Sequence, residues 1–335
     1  MSAALAAKDF ATDQEVRWCP GCGDYAILRC VQKTLAEAGA SPENTVFVSG
    51  IGCSSRFPYY MNTYGFHGIH GRAPAIATGL KLANPALDVW VITGDGDGLS
   101  IGGNHLLHAL RRNVGLKILL FNNEIYGLTK GQYSPTSVPG TRSPSSPEGS
   151  IDQPLSPCLF ALGCGARFIA RGIDTDNKHL GSVLHEVHDY RGAAFVEIFQ
   201  NCPVYNDNVF EAFTDRKTAA TTQIHVKHGE PLLFGENNSQ GLRVNSTTLS
   251  LELVDLTDSS QKSSSITIFD ETNKTLAQML LSMEGPGFPV ALGIIYRQPG
   301  AVFEDSFSTQ PPPEIRAGEG VDQWMRKART WTVKG

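Results

Sequence analysis

Two polar turns, each closing an apolar run, carry the residues best suited to chemistry in this chain of 335 residues. Gly94-Asp95-Gly96-Asp97 follows the run from Asp88 to Thr93, and Asn122-Asn123-Glu124-Ile125-Tyr126 follows the run from Lys117 to Phe121, with 25 residues between Gly96 and Asn122. A run of this kind reads as a buried strand, and a parallel sheet sets the turns of neighbouring strands side by side at its carboxyl edge, where ligands bind. Asp95 and Asn123 can then share one cation. A hard divalent ion such as Mg2+ takes oxygen ligands, commonly one or two carboxylates plus the phosphates of a substrate, and glycines let backbone N–H groups approach a phosphate closely. The plain alternative is a pair of ordinary strand-end loops.

Seven cysteines form the second feature, at 19, 22, 30, 53, 158, 164 and 202. Cys19-Pro-Gly-Cys22 is a CxxC hairpin, Cys53 follows the apolar run Thr45–Ser49, and Cys202 follows Ala194–Phe199. All four stand at strand ends or tight turns, and thiolates gathered at one sheet edge bind either zinc or an iron-sulfur cluster. Disulfides fit less well, because the count is odd, no signal peptide is recognisable and cytosolic thiols stay reduced. Cys30 falls on the apolar face of a helical stretch, while Cys158 and Cys164 flank a Leu-Phe-Ala-Leu run, so these three are expected to pack in the core or in loops.

The order of Gly-Asp-Gly and Asn-Asn resembles the thiamine diphosphate motif, and the cysteines extend the likeness. Trp18-Cys-Pro-Gly-Cys-Gly23, Gly50-Ile-Gly-Cys-Ser54, Gly68-Ile-His-Gly-Arg-Ala73, Thr78–Lys81, Gly94–Asp97, Ile101–His105, Asn123–Gln132, Ser134-Pro-Thr136 and Asn201-Cys-Pro203 together resemble the β subunits of 2-oxoacid:ferredoxin oxidoreductases over roughly residues 17 to 235. The resemblance implies a thiamine diphosphate-binding α/β fold, a parallel sheet covered by helices with an irregular C-terminal extension. It implies that Asp95, Asn123 and the Ile125 carbonyl hold Mg2+. Ile51, Gly52, Cys53, Ser54, His70, Gly94, Asp95, Gly96, Asp97, Asn123, Ile125, Gly127, Leu128 and Thr129 would meet the thiamine cofactor. Cys19, Cys22, Cys53 and Cys202 would hold a 4Fe-4S cluster. Zinc has no redox chemistry, whereas passing electrons singly from the thiamine site to ferredoxin needs a one-electron centre. Cys53, on a loop placed against thiamine, would couple the two cofactors.

Two residues are expected to act on the substrate. Lys130 follows Gly127-Leu-Thr129 and can offer its ammonium to the distal carboxylate of a dicarboxylic substrate. Its Leu-Thr-Lys setting resembles 2-oxoglutarate-type enzymes, in which the product would be succinyl-CoA, whereas Gly at that position resembles the pyruvate or branched-chain types. His70 can donate or accept near neutral pH. His105 and His108 share one helix face without a third ligand and are expected to belong to a packing helix. The glutamate that activates thiamine has no counterpart segment here, so the resemblance implies an obligate α subunit. No basic cluster reads as a pocket for coenzyme A, the co-substrate.

The elements that must position these residues alternate. Helices are predicted over 24–38, 72–83, 101–112 and 178–190, and strands over 45–49, 89–93, 117–121, 166–170 and 194–199, a pattern of parallel sheet and covering helix. The loop 134–157 is too long for a plain connector and is expected to pack on the partner subunit. The expected division is an N-terminal arm, 1–16, with a mobile end, the cofactor-binding domain 17–209, and a C-terminal extension 210–335 embracing the α subunit. Breaks are expected at 259–265 and 310–313, and residues 236–270 carry little signal. A net charge of −5 argues against nucleic-acid binding, no apolar run is long enough to span a membrane, and the start lacks a secretion signal. A cytoplasmic enzyme subunit is the expectation.

Overall fold

The computed structural model describes residues 5–258, 265–310, 320, 325–326 and 331. Its centre is an eight-stranded sheet in the order β2-β1-β3-β4-β8-β7-β13-β9. The strands are β1 (Thr45–Ser49), β2 (Tyr64–His67), β3 (Asp88–Gly94), β4 (Leu116–Asn122), β7 (Phe168–Ile173), β8 (Ala194–Phe199), β9 (Gln223–His225) and β13 (Val290–Arg297). A short pair and a three-stranded meander complete the numbering: β5 (Ile125–Tyr126) with β6 (Gln132–Tyr133), and β10 (Leu233–Phe234), β11 (Gln240–Asn245) and β12 (Ser250–Asp255).

From β2 to β7 every neighbour is parallel. Parallel strands need covering on both faces and so lack the alternation of a half-exposed strand; β1, β4 and β8 are accordingly buried at every residue. Val46, Val48, Val89, Val91, Ile118 and Leu120 turn to one apolar cluster, with α2 (Ala73–Ala83), α4 (Gly103–Arg112) and α5 (Pro157–Gly163) over it. Phe47, Trp90, Ile92, Leu119 and Phe121 turn to the other, beneath α1 (Asp24–Glu37) and α6 (Asn177–Asp189). The chain leaves β1 outward to β2 and returns to β3 on the opposite side, so the strand order reverses between β1 and β3. The crevice at such a switch point is where open α/β sheets bind ligands. The nine helices and strands predicted from periodicity are all present with ends moved by at most a few residues, and α3 (Asp95–Leu99) begins inside the Gly-Asp-Gly turn.

Three expectations change. The division at residue 209 does not end the sheet: β13 pairs antiparallel with β7 and parallel with β9. β13 therefore covers the edge β7 would expose, and part of the stretch expected to embrace the α subunit completes the core. Residues 236–270 contain the β11–β12 hairpin, whose Leu242, Leu251 and Val254 join the same cluster as Ala161; its strands are short and half polar, which hid them. The N-terminal end is anchored from Ala7 onward, with Phe10 fully buried and its carbonyl accepting from the Asn62 amide at 2.9 Å. The predicted breaks at 259–265 and 310–313 fall, apart from Ser265 and Gln310, outside the described residues.

Candidate functional site

At the carboxyl ends of β1, β3 and β4 lies a cleft of about 470 Å³ lined by Ile51, Gly52, Cys53 and Ser54 from the first, Gly94 to Asp97 from the second, and Asn123, Ile125, Gly127, Leu128 and Thr129 beyond the third. His70, Asp24, Phe121 and Tyr126 complete its wall. The register β3–β4 pairs Gly94 with Phe121, so the two polar turns emerge side by side. Gly96 is required by that closeness. A Cβ there would stand 2.2 Å from the Tyr126 ring, which is pinned because its hydroxyl donates to the Gly96 carbonyl at 2.9 Å.

Asp95 is 3% exposed, and its Oδ2 accepts from the hydroxyls of Ser134 at 2.5 Å and Thr136 at 2.6 Å. The Thr136 oxygen also lies 3.1 Å from Asn122 Oδ1. Burial pushes Asp95 up to about 6, against the pull of these hydroxyls. Burial, then Asp95 and Glu197, push neighbouring Glu124 up to about 7. Buried carboxyls in such company disfavour their own ionisation, and a divalent cation between them would relieve the repulsion. The donor set of carboxylate, amide and carbonyl oxygens is that of a hard ion.

Asp97 has a different task. Its Oδ1 accepts from the backbone N–H groups of Ile51 at 3.0 Å and Gly71 at 2.8 Å, and its Oδ2 from the Thr93 hydroxyl at 2.7 Å. It ties the two glycine loops to β3. His70 Nδ1 lies 3.0 Å from Asp97 Oδ1 without hydrogen-bonding geometry.

A second cleft, of about 710 Å³, is lined by Cys19, Cys22, Cys53 and Cys202 together with Trp18, Gln200 and Tyr205. It shares Cys53, Asn123, Gly127 and Leu128 with the first. A Cβ on Gly127 would be 3.6 Å from both the Cys53 and the Cys202 sulfur. Among the described residues no group of three or more Cys, His, Asp or Glu side chains is arranged to hold a metal ion. Burial, then Asp24, holds Cys22 well above the ordinary thiol range, with Cys53 and Cys202 adding to the effect. Burial, Asp24 and Cys202 push Cys53 up to about 12. Thiolates at Cys22 and Cys53 would need positive charge beside them, which a thiolate-bound metal centre supplies.

Of the residues predicted from sequence, all but one line one cleft or the other. Lys130 lines neither: it is exposed at the tip of the β5–β6 hairpin with φ +74°. Cys30 and Cys158 are buried and Cys164 half-buried, away from the four thiols. Ser134 and Thr136, quoted only as motif, turn out to hold Asp95; their Ser-Pro-Thr grouping at the head of a long polar loop was the available signal. Glu197 and Gln200, on and just after β8, were missed. A buried Glu and Gln among Phe-Val-Glu-Ile-Phe-Gln are anomalous in a core strand, and that anomaly was legible.

Residues 50–198 match the family model for the C-terminal TPP-binding domain of thiamine pyrophosphate enzymes. The chain is 62% identical over 231 residues to the 2-oxoglutarate oxidoreductase subunit KorB of Mycobacterium tuberculosis, a match covering 69% of this chain and 61% of the relative. It is 45% identical to subunit beta of the 2-oxoacid:ferredoxin oxidoreductase 2 of Aeropyrum pernix, covering 59% of this chain and 64% of that one. It is 42% identical to the 2-oxoglutarate synthase subunit KorB of Methanocaldococcus jannaschii, covering 56% of this chain and 70% of that one. The match thus spans somewhat less than two thirds of the first two relatives. A solved 2-oxoglutarate:ferredoxin oxidoreductase from Magnetococcus marinus, with 2-oxoglutarate, coenzyme A and succinyl-CoA bound, superposes with a TM-score of 0.73 at 30% identity, covering 97% of both chains.

Proposed function

Because the chain belongs to the β subunits of the 2-oxoacid:ferredoxin oxidoreductase family, we propose that it serves a 2-oxoglutarate:ferredoxin oxidoreductase, a 2-oxoglutarate synthase. With an α subunit, the enzyme converts 2-oxoglutarate and coenzyme A to succinyl-CoA and CO2, passing two electrons singly to ferredoxin, and runs reversibly. The supporting observation is the shared wall: Cys53 and Gly127 border both the oxygen-lined and the thiol-lined cleft, so a diphosphate in one and a cluster in the other would lie within a side chain of each other.

Thiamine diphosphate would supply the carbanion chemistry of decarboxylation, and a 4Fe-4S cluster the one-electron outlet. This chain's residues hold both. Asp95, Asn123 and the Ile125 carbonyl bind Mg2+ and through it the diphosphate; Ser134 and Thr136 fix the Asp95 carboxylate; Asp97 fixes the loops bearing Ile51 and Gly71. Cys19, Cys22, Cys53 and Cys202 ligate the cluster. His70 stands over the cleft to donate to diphosphate or substrate.

Lys130 takes the distal carboxylate of 2-oxoglutarate. A non-glycine residue at positive φ costs about 1 kcal/mol, and a lysine standing at φ +74°, where glycine would be unstrained, supports a role for its ammonium. The activating glutamate and the coenzyme A pocket are assigned to the α subunit, so the chain alone is catalytically incomplete. The loop tip bearing Val138 and Ile151, which are 53% and 90% exposed, is the surface assigned to it, in a dimer of αβ units. Among the described residues no helix is long and apolar enough to cross a membrane. With seven free cysteines, the cytoplasm, where thiols stay reduced, is the proposed location.

The test is anaerobic ferredoxin reduction by the chain co-purified with its α subunit, coenzyme A present, and 2-oxoglutarate or pyruvate as substrate. Preference for 2-oxoglutarate supports the reading. Preference for pyruvate keeps the reaction and removes the role of Lys130, and no reduction with either overturns the assignment.

A further inference from the structure

Gln200 is 1% exposed and lines the thiol cleft, next to Asn123, which lines both. Its backbone N–H donates to the Asn122 carbonyl at 2.8 Å, which locks it to the end of β4. Its side-chain Nε2 donates both protons, one to the Cys22 sulfur at 3.2 Å and one to the Asn201 carbonyl. Its Oε1 accepts from Asn123 Nδ2 at 2.7 Å. The approach is made possible by Gly23, where a Cβ would meet Gln200 Cγ at 2.9 Å and Asp174 Oδ2 at 1.8 Å.

An amide has one donor end and one acceptor end. Since two acceptors claim Nε2, the Oε1 of Gln200 must face Asn123, and Asn123 must answer with Nδ2. That leaves Asn123 Oδ1 turned away from Gln200, where it accepts from the Ile125 N–H at 3.3 Å and keeps a second lone pair for a cation. We propose that Gln200 is a positioning residue joining the two cofactor sites, orienting the Asn123 amide so that its oxygen serves Mg2+ while donating an N–H···S hydrogen bond to the Cys22 ligand of the cluster. The inference rests on the assignment of Asn123 and Cys22 given above. A hydrogen bond to a ligand sulfur stabilises the more negative, reduced cluster and raises its reduction potential, and partners that orient a metal ligand are worth about 10- to 100-fold in affinity. One side chain thus sets both the potential of the electron acceptor and the hold on the diphosphate.

The test uses the αβ holoenzyme and the isosteric Gln200→Met, which has neither amide donor nor acceptor. Two quantities are read: the cluster midpoint potential by an EPR-monitored redox titration, and the Mg2+ dissociation constant in the presence of thiamine diphosphate. The expected result is a more negative potential together with a Kd raised about 10- to 100-fold, at unchanged iron and sulfide content. Movement of neither quantity, or of only one, overturns the coupling. Gln200→Glu, compared at alkaline pH where the carboxylate is ionised, covers the case in which Gln200→Met does not assemble. It keeps the acceptor for Asn123 and loses the donor to Cys22, so the potential falls while Mg2+ affinity holds, and an unchanged potential overturns the proposal. An absence of iron from the unmodified holoenzyme would instead remove the functional reading itself.

Discussion

Replacing Glu197 with alanine should cost about 3–5 kcal/mol of stability, the range for removing one partner of a buried ion pair. Glu197 is 1% exposed in the middle strand β8. It accepts from Arg171 Nε at 2.7 Å, from Asn122 Nδ2 at 2.8 Å and from the Cys158 thiol at 3.2 Å. Arg171 cannot shed its proton, and Glu197 holds its pKa above the ordinary guanidinium range against the opposing effect of burial. Without the carboxylate, a guanidinium and an amide are left buried and unpaired. Glu197→Gln should be little better, because its NH2 must face either the Arg171 or the Asn122 donor. The double change Arg171→Met with Glu197→Met removes both charges, and only Asn122 then lacks a partner, a loss of about 1–3 kcal/mol. Guanidinium denaturation, followed by circular dichroism, should therefore find the double variant about 2 kcal/mol more stable than Glu197→Ala. The reasoning fails if Glu197→Ala lies within about 1 kcal/mol of the unmodified protein, or if the double variant is no more stable than the single one.

Four further outcomes are expected. Gly96→Ala drives a methyl into the Tyr126 ring, at a cost of about 1–3 kcal/mol; calorimetry should show weaker binding of thiamine diphosphate with Mg2+, partly restored by adding Tyr126→Leu, and unaltered binding would refute the clash. Lys130→Gly should raise the KM for 2-oxoglutarate by roughly 10- to 100-fold, the equivalent of one charged hydrogen bond, and an unchanged KM would sink the role. Cys53→Ala should abolish cluster-linked ferredoxin reduction, and full activity in that variant would refute the ligand assignment. Burial, then the neighbouring His225, lowers His179 to about 4, and burial lowers His225 in the same direction. Unfolded histidines bind protons near 6.5, so the unfolded state holds more protons between these values. Stability is then fully present above about 6.5 and lost as pH falls toward about 4; denaturation midpoints across that range should fall less steeply in His179→Gln.

Where one residue's type and its neighbours in sequence suffice, the chain is self-explanatory. Continuous apolar runs such as Ile118–Phe121 can only be strands covered on both faces, and a glycine-flanked aspartate at the end of one can only be a turn at the carboxyl edge. Cys19, Cys22, Cys53 and Cys202 announced themselves because thiols are rare at turns without a reason. The C-terminal strand β13 did not, since its antiparallel place beside β7 depends on an edge 120 residues earlier in the chain that only folding brings to it. Nor did Gln200 and Glu197, whose importance lies in the partners they meet. A side chain's chemistry is written in its formula, but which donor faces which acceptor is set by strand register and by what the packing leaves room for. Residue order alone is enough for an oxygen-rich turn and four thiols at turns. That they share a wall follows from folding, because it depends on β1, β3, β4 and β8 ending at one edge of one sheet.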